Sequence, residues 1–203
     1  MRKKSRISFI VVFIMLITHS LYAITGDEAL NKFRARMSSI GKLTGIISWS
    51  GPEGETYTGA FKYMSPGKIY VKFSNPGGKT VVSNGRTLWV YSAGSNMCGV
   101  QDLAGGGSGG ISALTSGYMA IVTAEGPGGY TIKLKGNGKT FPEIILMVDS
   151  TFFLRKAILK TQKGGVYNFS LSNVSSTDAI IPSIFDFNVP SSAQIVKNPL
   201  NIK

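Results

Sequence analysis

Between Leu43 and Ser92, hydrophobic and polar residues alternate in short runs that break at turn-forming pairs. In TYTGAFKYM, residues Tyr57, Gly59, Phe61 and Tyr63 fall on one face and Thr58, Ala60 and Lys62 on the other, which is the two-residue period of a strand. In KIYVKF, Ile69, Val71 and Phe73 oppose Lys68, Tyr70 and Lys72. LTGIISWS, KTVVS and TLWVYS are also strand candidates, rich in β-branched and aromatic residues. Pro66-Gly67, Pro76-Gly77 and Asn84-Gly85 separate the runs, and Asn-Gly is a strong signal of a tight hairpin. TLWVYS sets Trp89 and Tyr91 against Leu88 and Val90 and is apolar on both sides. A sheet with two apolar faces must cover the second face or line a cavity with it.

The period changes on either side of this region. Leu30, Phe33, Met37 and Ile40 recur at helical intervals, so an amphipathic helix is expected over Asp27–Ser39, with its stripe against something apolar. Thr25-Gly-Asp-Glu28 has capping-box spacing at its start. After the glycine-rich loop Gly105–Gly110, the segment Ile111–Ile121 reads as a short helix carrying Leu114, Tyr118 and Met119. GYTIKLK, PEIILMVDS, FFLRKAILK, VYNFSLSNV and a short terminal FDFNVP return to the strand pattern. This spacing predicts a mainly β protein with a large antiparallel sheet, curled or closed.

Charge and composition narrow the function. Arg2, Lys3, Lys4 and Arg6 precede an apolar run from Ile7 to Thr18, and Leu21-Tyr22-Ala23 follows, so residues 1–23 read as a secretory signal peptide. The apolar run is shorter than the about 20 residues of a spanning helix. Residues 24–203 then form one domain. Removing the leader takes four of the 22 basic residues and the one histidine, His19. The mature chain stays basic, but its Lys and Arg are dispersed, unlike a focused nucleic-acid patch. Without histidine there is no Ser-His-Asp arrangement and no histidine acid–base catalyst. Cys98 stands alone, so neither an internal disulfide nor an ordinary zinc site is expected. Glu53 and Glu55 sit in a Gly-Pro-Glu-Gly-Glu turn. The glycine-rich segments lack the strand-to-helix context of a phosphate loop. The expectation is a binding protein with no catalysis, metal or cofactor.

Lys68–Phe73 is followed by Asn75-Pro76, Val81-Val82-Ser83, the Asn84-Gly85 turn and Thr87-Leu88-Trp89-Val90-Tyr91. With the N-terminal helix and the terminal Phe185-Asp186-Phe187-Asn188-Val189-Pro190, this order resembles the periplasmic outer-membrane lipoprotein carrier (LolA) family from about Asp27 to Val196. The resemblance implies an incompletely closed antiparallel β-barrel of about ten or eleven strands, with an N-terminal helix and short covering helices. Its apolar interior would receive lipoprotein acyl chains in transit between the two membranes. The implied partners are an inner-membrane lipoprotein-release complex and an outer-membrane receptor, and the implied state is a soluble periplasmic monomer. Face and size then nominate Trp49, Phe61, Tyr63, Trp89, Tyr91, Leu114 and Met119 as cavity lining, with Leu30, Phe33 and Met37 packing the helix onto the barrel. Ser65 departs from the basic residue that the family commonly has before this proline, where it helps hold the covering segments; the resemblance then implies either a weaker closing or a substitute such as Lys62. The alternative reading is an envelope sensor, or another lipid-binding protein, of the same fold.

Overall fold

The computed structural model describes residues 23–103 and 115–198. The expected signal peptide, apart from Ala23, lies outside them, as do Gly105–Gly110 and Leu114. Helix α1 spans Gly26–Ser38. Eleven strands follow: β1 Lys42–Ser50, β2 Thr56–Met64, β3 Lys68–Asn75, β4 Gly77–Asn84, β5 Thr87–Ser92, β6 Met97–Asp102, β7 Met119–Gly126, β8 Gly129–Lys135, β9 Glu143–Val148, β10 Leu154–Lys160 and β11 Val166–Ser175. A 3-10 turn at Pro182–Phe185 and strand β12, Gln194–Lys197, complete the chain. The strands form one sheet in the order β12-β6-β5-β4-β3-β2-β1-β11-β10-β9-β8-β7. It is open, with β7 and β12 at its edges. Among the described residues there are twelve strands, close to the expected ten or eleven, and β12 alone pairs in parallel, with β6. The FDFNVP segment is not a strand; it begins in the 3-10 turn.

Local chemistry accounts for the ends of these elements. The Oγ1 of Thr25 accepts from the Glu28 amide at 3.2 Å, which satisfies one orphan donor of α1. The Glu28 carboxylate does not complete the capping box but pairs with Lys32 at 2.8 Å, one turn on. Gly85 takes φ +89° between β4 and β5, and the Asn84 side chain accepts from the amides of Arg86 and Thr87, both at 2.9 Å.

Helix α1 covers only part of the sheet. Its start lies against β7, where a Cβ on Gly26 would come within 1.9 Å of the Ala120 carbonyl oxygen. Its end leads through Gly41 directly into β1. Five strand spacings separate β7 from β1, about 24 Å in a flat sheet. Thirteen helical residues span about 20 Å. The helix therefore runs across the β7–β1 half of one face, here called the inner face. Ala29, Leu30 and Phe33 are buried there with Ile132, Leu134, Ile144, Leu146 and Ala157. A second cluster, Ile40, Leu43, Phe61, Val71 and Phe153, continues the inner face beyond the helix, and Met37 packs against both.

On the opposite, outer face, Glu143 is held by Lys133 and Lys160, each at 2.6 Å. The Oε1 contact with Lys160 is Coulombic, since Oε1 has no aligned hydrogen-bond donor. The Lys133 hydrogen bond, with the Lys160 ammonium beside the other oxygen, lowers the Glu143 carboxyl to about 2. A depressed carboxyl stabilises the fold above the ordinary carboxylate value, and that contribution is lost as pH falls toward about 2. Urea unfolding between pH 6 and pH 3 is expected to show a steeper stability loss in the wild type than in Glu143→Gln. Phe33→Ala is expected to cost about 3–5 kcal/mol by the same measurement, because it removes a ring that is 1% exposed. Asn31→Ala, on the exposed side of α1, should stay within about 0.5 kcal/mol.

Candidate functional site

Beyond the helix, the inner face over β3, β2, β1 and β11 carries half-buried rings in lateral contact. Phe73 meets Tyr57 edge-on at 5.5 Å, Tyr57 lies 5.3 Å from Trp49, and Trp49 stacks on Tyr167 at 6.1 Å. Phe141, in the β8–β9 connection, closes the row against Tyr167 at 6.1 Å. Strand alternation puts these rings on one side, and direct cross-strand pairing of Trp49 with Tyr57 and with Phe169 brings them together. At mid-strand, Phe61 lies opposite Gly45, where an added Cβ would come within 2.8 Å of its Cε1. That glycine lets the Phe61 ring lie close against the sheet. Lys79 stands at one end of the row, donating to the Tyr57 hydroxyl with its Nζ 4.2 Å from the ring centroid. The result is an apolar, aromatic wall with a cation at its rim, suited to an alkyl chain.

Trp49, Phe61 and Tyr63 all lie on this face; Phe61 is 7% exposed and the other two are half-buried. Leu30 and Phe33 are buried under α1, and Met37 links the two clusters. Trp89 and Tyr91 are elsewhere. Register runs Phe61 to Val71, Val81 and Val90, whereas Trp89 follows Val82, Tyr70 and Lys62. Both β5 aromatics therefore project from the outer face, against Phe187 at 6.4 and 6.0 Å. The 3-10 turn beside Phe187 lies over β3 and β4 and buries Phe185. Met119 is also displaced: it opens β7, with its side chain 63% exposed, instead of continuing a helix from Ile111. Leu114 lies outside the described residues. The nominated set omits Tyr57, Phe73, Tyr167 and Phe141. For Tyr57 and Phe73 the signal was present, since each shares an alternation face with nominated or apolar residues.

Lys62 is on the outer face, on the side of the sheet opposite α1. The fastening of α1 comes from the helix itself. Arg34 donates from Nε to the Thr115 hydroxyl at 2.9 Å and from Nη2 to the Thr115 carbonyl at 2.7 Å. Burial pushes the Cys98 thiol up, away from its reactive thiolate form. Among the described residues, no three His, Cys, Asp or Glu side chains gather to hold a metal ion, and no helix is long and apolar enough to cross a membrane.

No family model matches the sequence. The chain is 21% identical over 197 residues to an outer-membrane lipoprotein carrier protein of Legionella pneumophila (strain Lens), covering 92% of this chain and 97% of that one. The chain is thus similar to a lipoprotein carrier along nearly its whole length. Its fold matches an uncharacterized conserved protein from Thermus thermophilus with a TM-score of 0.57, at 15% identity, over 84% of this chain and 98% of that chain. A LolA superfamily protein from Nitrosomonas europaea aligns over 80% of this chain and 98% of its own, at 16% identity and a TM-score of 0.44, too low to add weight.

The opposed faces of the two tryptophans are testable. Phe187→Ala should expose Trp89 and shift its fluorescence to longer wavelength in a Trp49→Phe background. The same change should leave Trp49 emission unmoved in a Trp89→Phe background.

Proposed function

We propose that this protein carries lipoprotein acyl chains through the periplasm from the inner to the outer membrane, seating them on the inner face between Leu43 and the Phe73–Tyr57–Trp49–Tyr167 row. The observation that carries this reading is the half-buried aromatic wall that α1 leaves uncovered. Full-length similarity to a protein named as a lipoprotein carrier supports it. The physical requirement is plain. Each methylene kept out of water is worth about 0.8 kcal/mol, so a chain of about a dozen methylenes costs on the order of 10 kcal/mol to expose. A transit protein needs apolar surface that is accessible in the free state, and rings in lateral contact provide it with little reorganisation. Its partners in this reading are the acyl chains themselves, a release complex at the inner membrane and a receptor at the outer membrane. The signal peptide of residues 1–23 supplies the route to that compartment.

Brominated fatty acid quenches a nearby indole on contact. In this reading it should quench Trp49 strongly in the Trp89→Phe variant and leave Trp89 nearly unquenched in the Trp49→Phe variant. Equal quenching of both, or of neither, would remove the inner face as the acyl site. Depleting the protein and fractionating membranes should leave lipoproteins accumulated at the inner membrane.

A further inference from the structure

At the opposite end of β1 from Trp49 lies a cleft of about 300 Å³, between the end of α1, the start of β1, the β9–β10 turn and the end of β11. Its lining has two chemistries. Ile40, Leu43, Phe153 and Val174 supply apolar surface. Arg36, Lys42 and Arg155 supply three cations against one carboxylate, Asp149. That carboxylate is already committed. Its Oδ2 accepts from Arg155 Nε at 3.0 Å and Nη2 at 2.8 Å, and its Oδ1 accepts from the amides of Thr151 and Phe153 at 2.9 and 3.1 Å. A guanidinium has five N–H donors, so this leaves Arg155 with donors to spare. Lys42 donates to the Thr177 and Asp178 carbonyls at 3.2 and 2.9 Å, which fixes its ammonium at the cleft. Arg36 has no carboxylate partner among the described residues and rests 5.9 Å from the Phe153 ring, with Arg155 at 4.9 Å from the same ring.

A cationic rim over an apolar floor fits an anion carried on an apolar body. The volume corresponds to about ten water molecules, which suits a headgroup and not a pair of acyl chains. The floor also leads somewhere. Leu43 and Phe153 share a cluster with Phe61 and Val71, and Ile47 and Phe73 pack against it toward the aromatic row. Leu43 and Trp49 are six residues apart on β1, about 20 Å.

We propose that this cleft binds the phosphate-bearing headgroup of an anionic glycerophospholipid, with Arg36 and Arg155 contacting the phosphate. The path of its tails along the inner face rests on the acyl-binding reading above; the headgroup site does not.

The test uses dihexanoyl phosphatidylglycerol below its micelle concentration, titrated into the mature protein by calorimetry. Dihexanoyl phosphatidylcholine and inorganic phosphate are the comparison ligands. The phosphatidylglycerol analogue should bind, more tightly than the other two. Loss of one charge-assisted hydrogen bond should weaken it about tenfold in Arg36→Gln. Arg36→Lys should restore part of that loss. Arg36 is exposed, so the melting temperature should not move. Equal binding by wild type and Arg36→Gln, or equal affinity for phosphatidylcholine, overturns the proposal. Competition by inorganic phosphate at matching concentration overturns the headgroup assignment in favour of a free-phosphate site. Because the chains are short and the variant leaves the aromatic row intact, these results are independent of the Trp49 quenching experiment.

Discussion

One helix has to cover one face of a sheet that does not close. Everything distinctive about the inner face follows from that shortage. The thirteen residues of α1 are fixed at both ends, against the β7 backbone at Gly26 and by direct continuation into β1. Between those anchors they cover about five strand spacings, and Phe33 and Leu30 complete a dry core there. Past β1, and at the ends of β1 and β11 far from the helix, the same face has no helix over it among the described residues, and its side chains change accordingly. Fully buried Leu and Ile give way to half-buried Trp49, Tyr57, Phe73 and Tyr167. Large rings with polar edges tolerate partial water contact better than aliphatic side chains, which makes them suited to a wall that is alternately wet and occupied.

The two faces of the sheet solve different problems. On the outer face, Glu143 bridged by two lysines keeps β8, β9 and β10 polar toward solvent. Toward the other edge, β4 and β5 have apolar residues on that face, and there the chain returns. Pro182–Phe185 and Phe187 cover Val82, Trp89 and Tyr91, and Val82 and Phe185 are almost completely buried. The C-terminal segment thus closes off apolar surface that would otherwise be a second exposed patch. The apolar excess of TLWVYS is thus spent on structure.

Much of this was legible in the sequence. Helical spacing located α1 to within a residue at each end, and two-residue alternation correctly grouped Tyr57 with Phe61 and Ile69 with Phe73. Alternation fails at the next level. It says which residues of one strand share a face, but not which face of the neighbouring strand joins them. Trp89 and Phe61 looked equivalent, yet a chain of three strand registers puts them on opposite sides. A one-residue difference in any of those registers would have reversed the result. FDFNVP read as a strand because aromatics alternate in it, but Phe185 and Phe187 instead serve as plugs over a sheet face. The row itself was missed in part because Tyr167 and Phe141 join it from strands and turns distant in sequence.

The helix carries its own fastening, from Arg34 to both the hydroxyl and the carbonyl of Thr115. Two of the guanidinium's bonds go to Thr115 and a third, from Nη1 at 3.4 Å, stays on the helix at Asn31, so Arg34 ties the helix to one residue. Neutral–charged hydrogen bonds of this kind contribute about 1.5–3 kcal/mol each. That is small beside the cost of exposing an alkyl chain, on the order of 10 kcal/mol for a dozen methylenes. In the proposed carrier role, the tie at Thr115 is therefore the weaker of the two interactions.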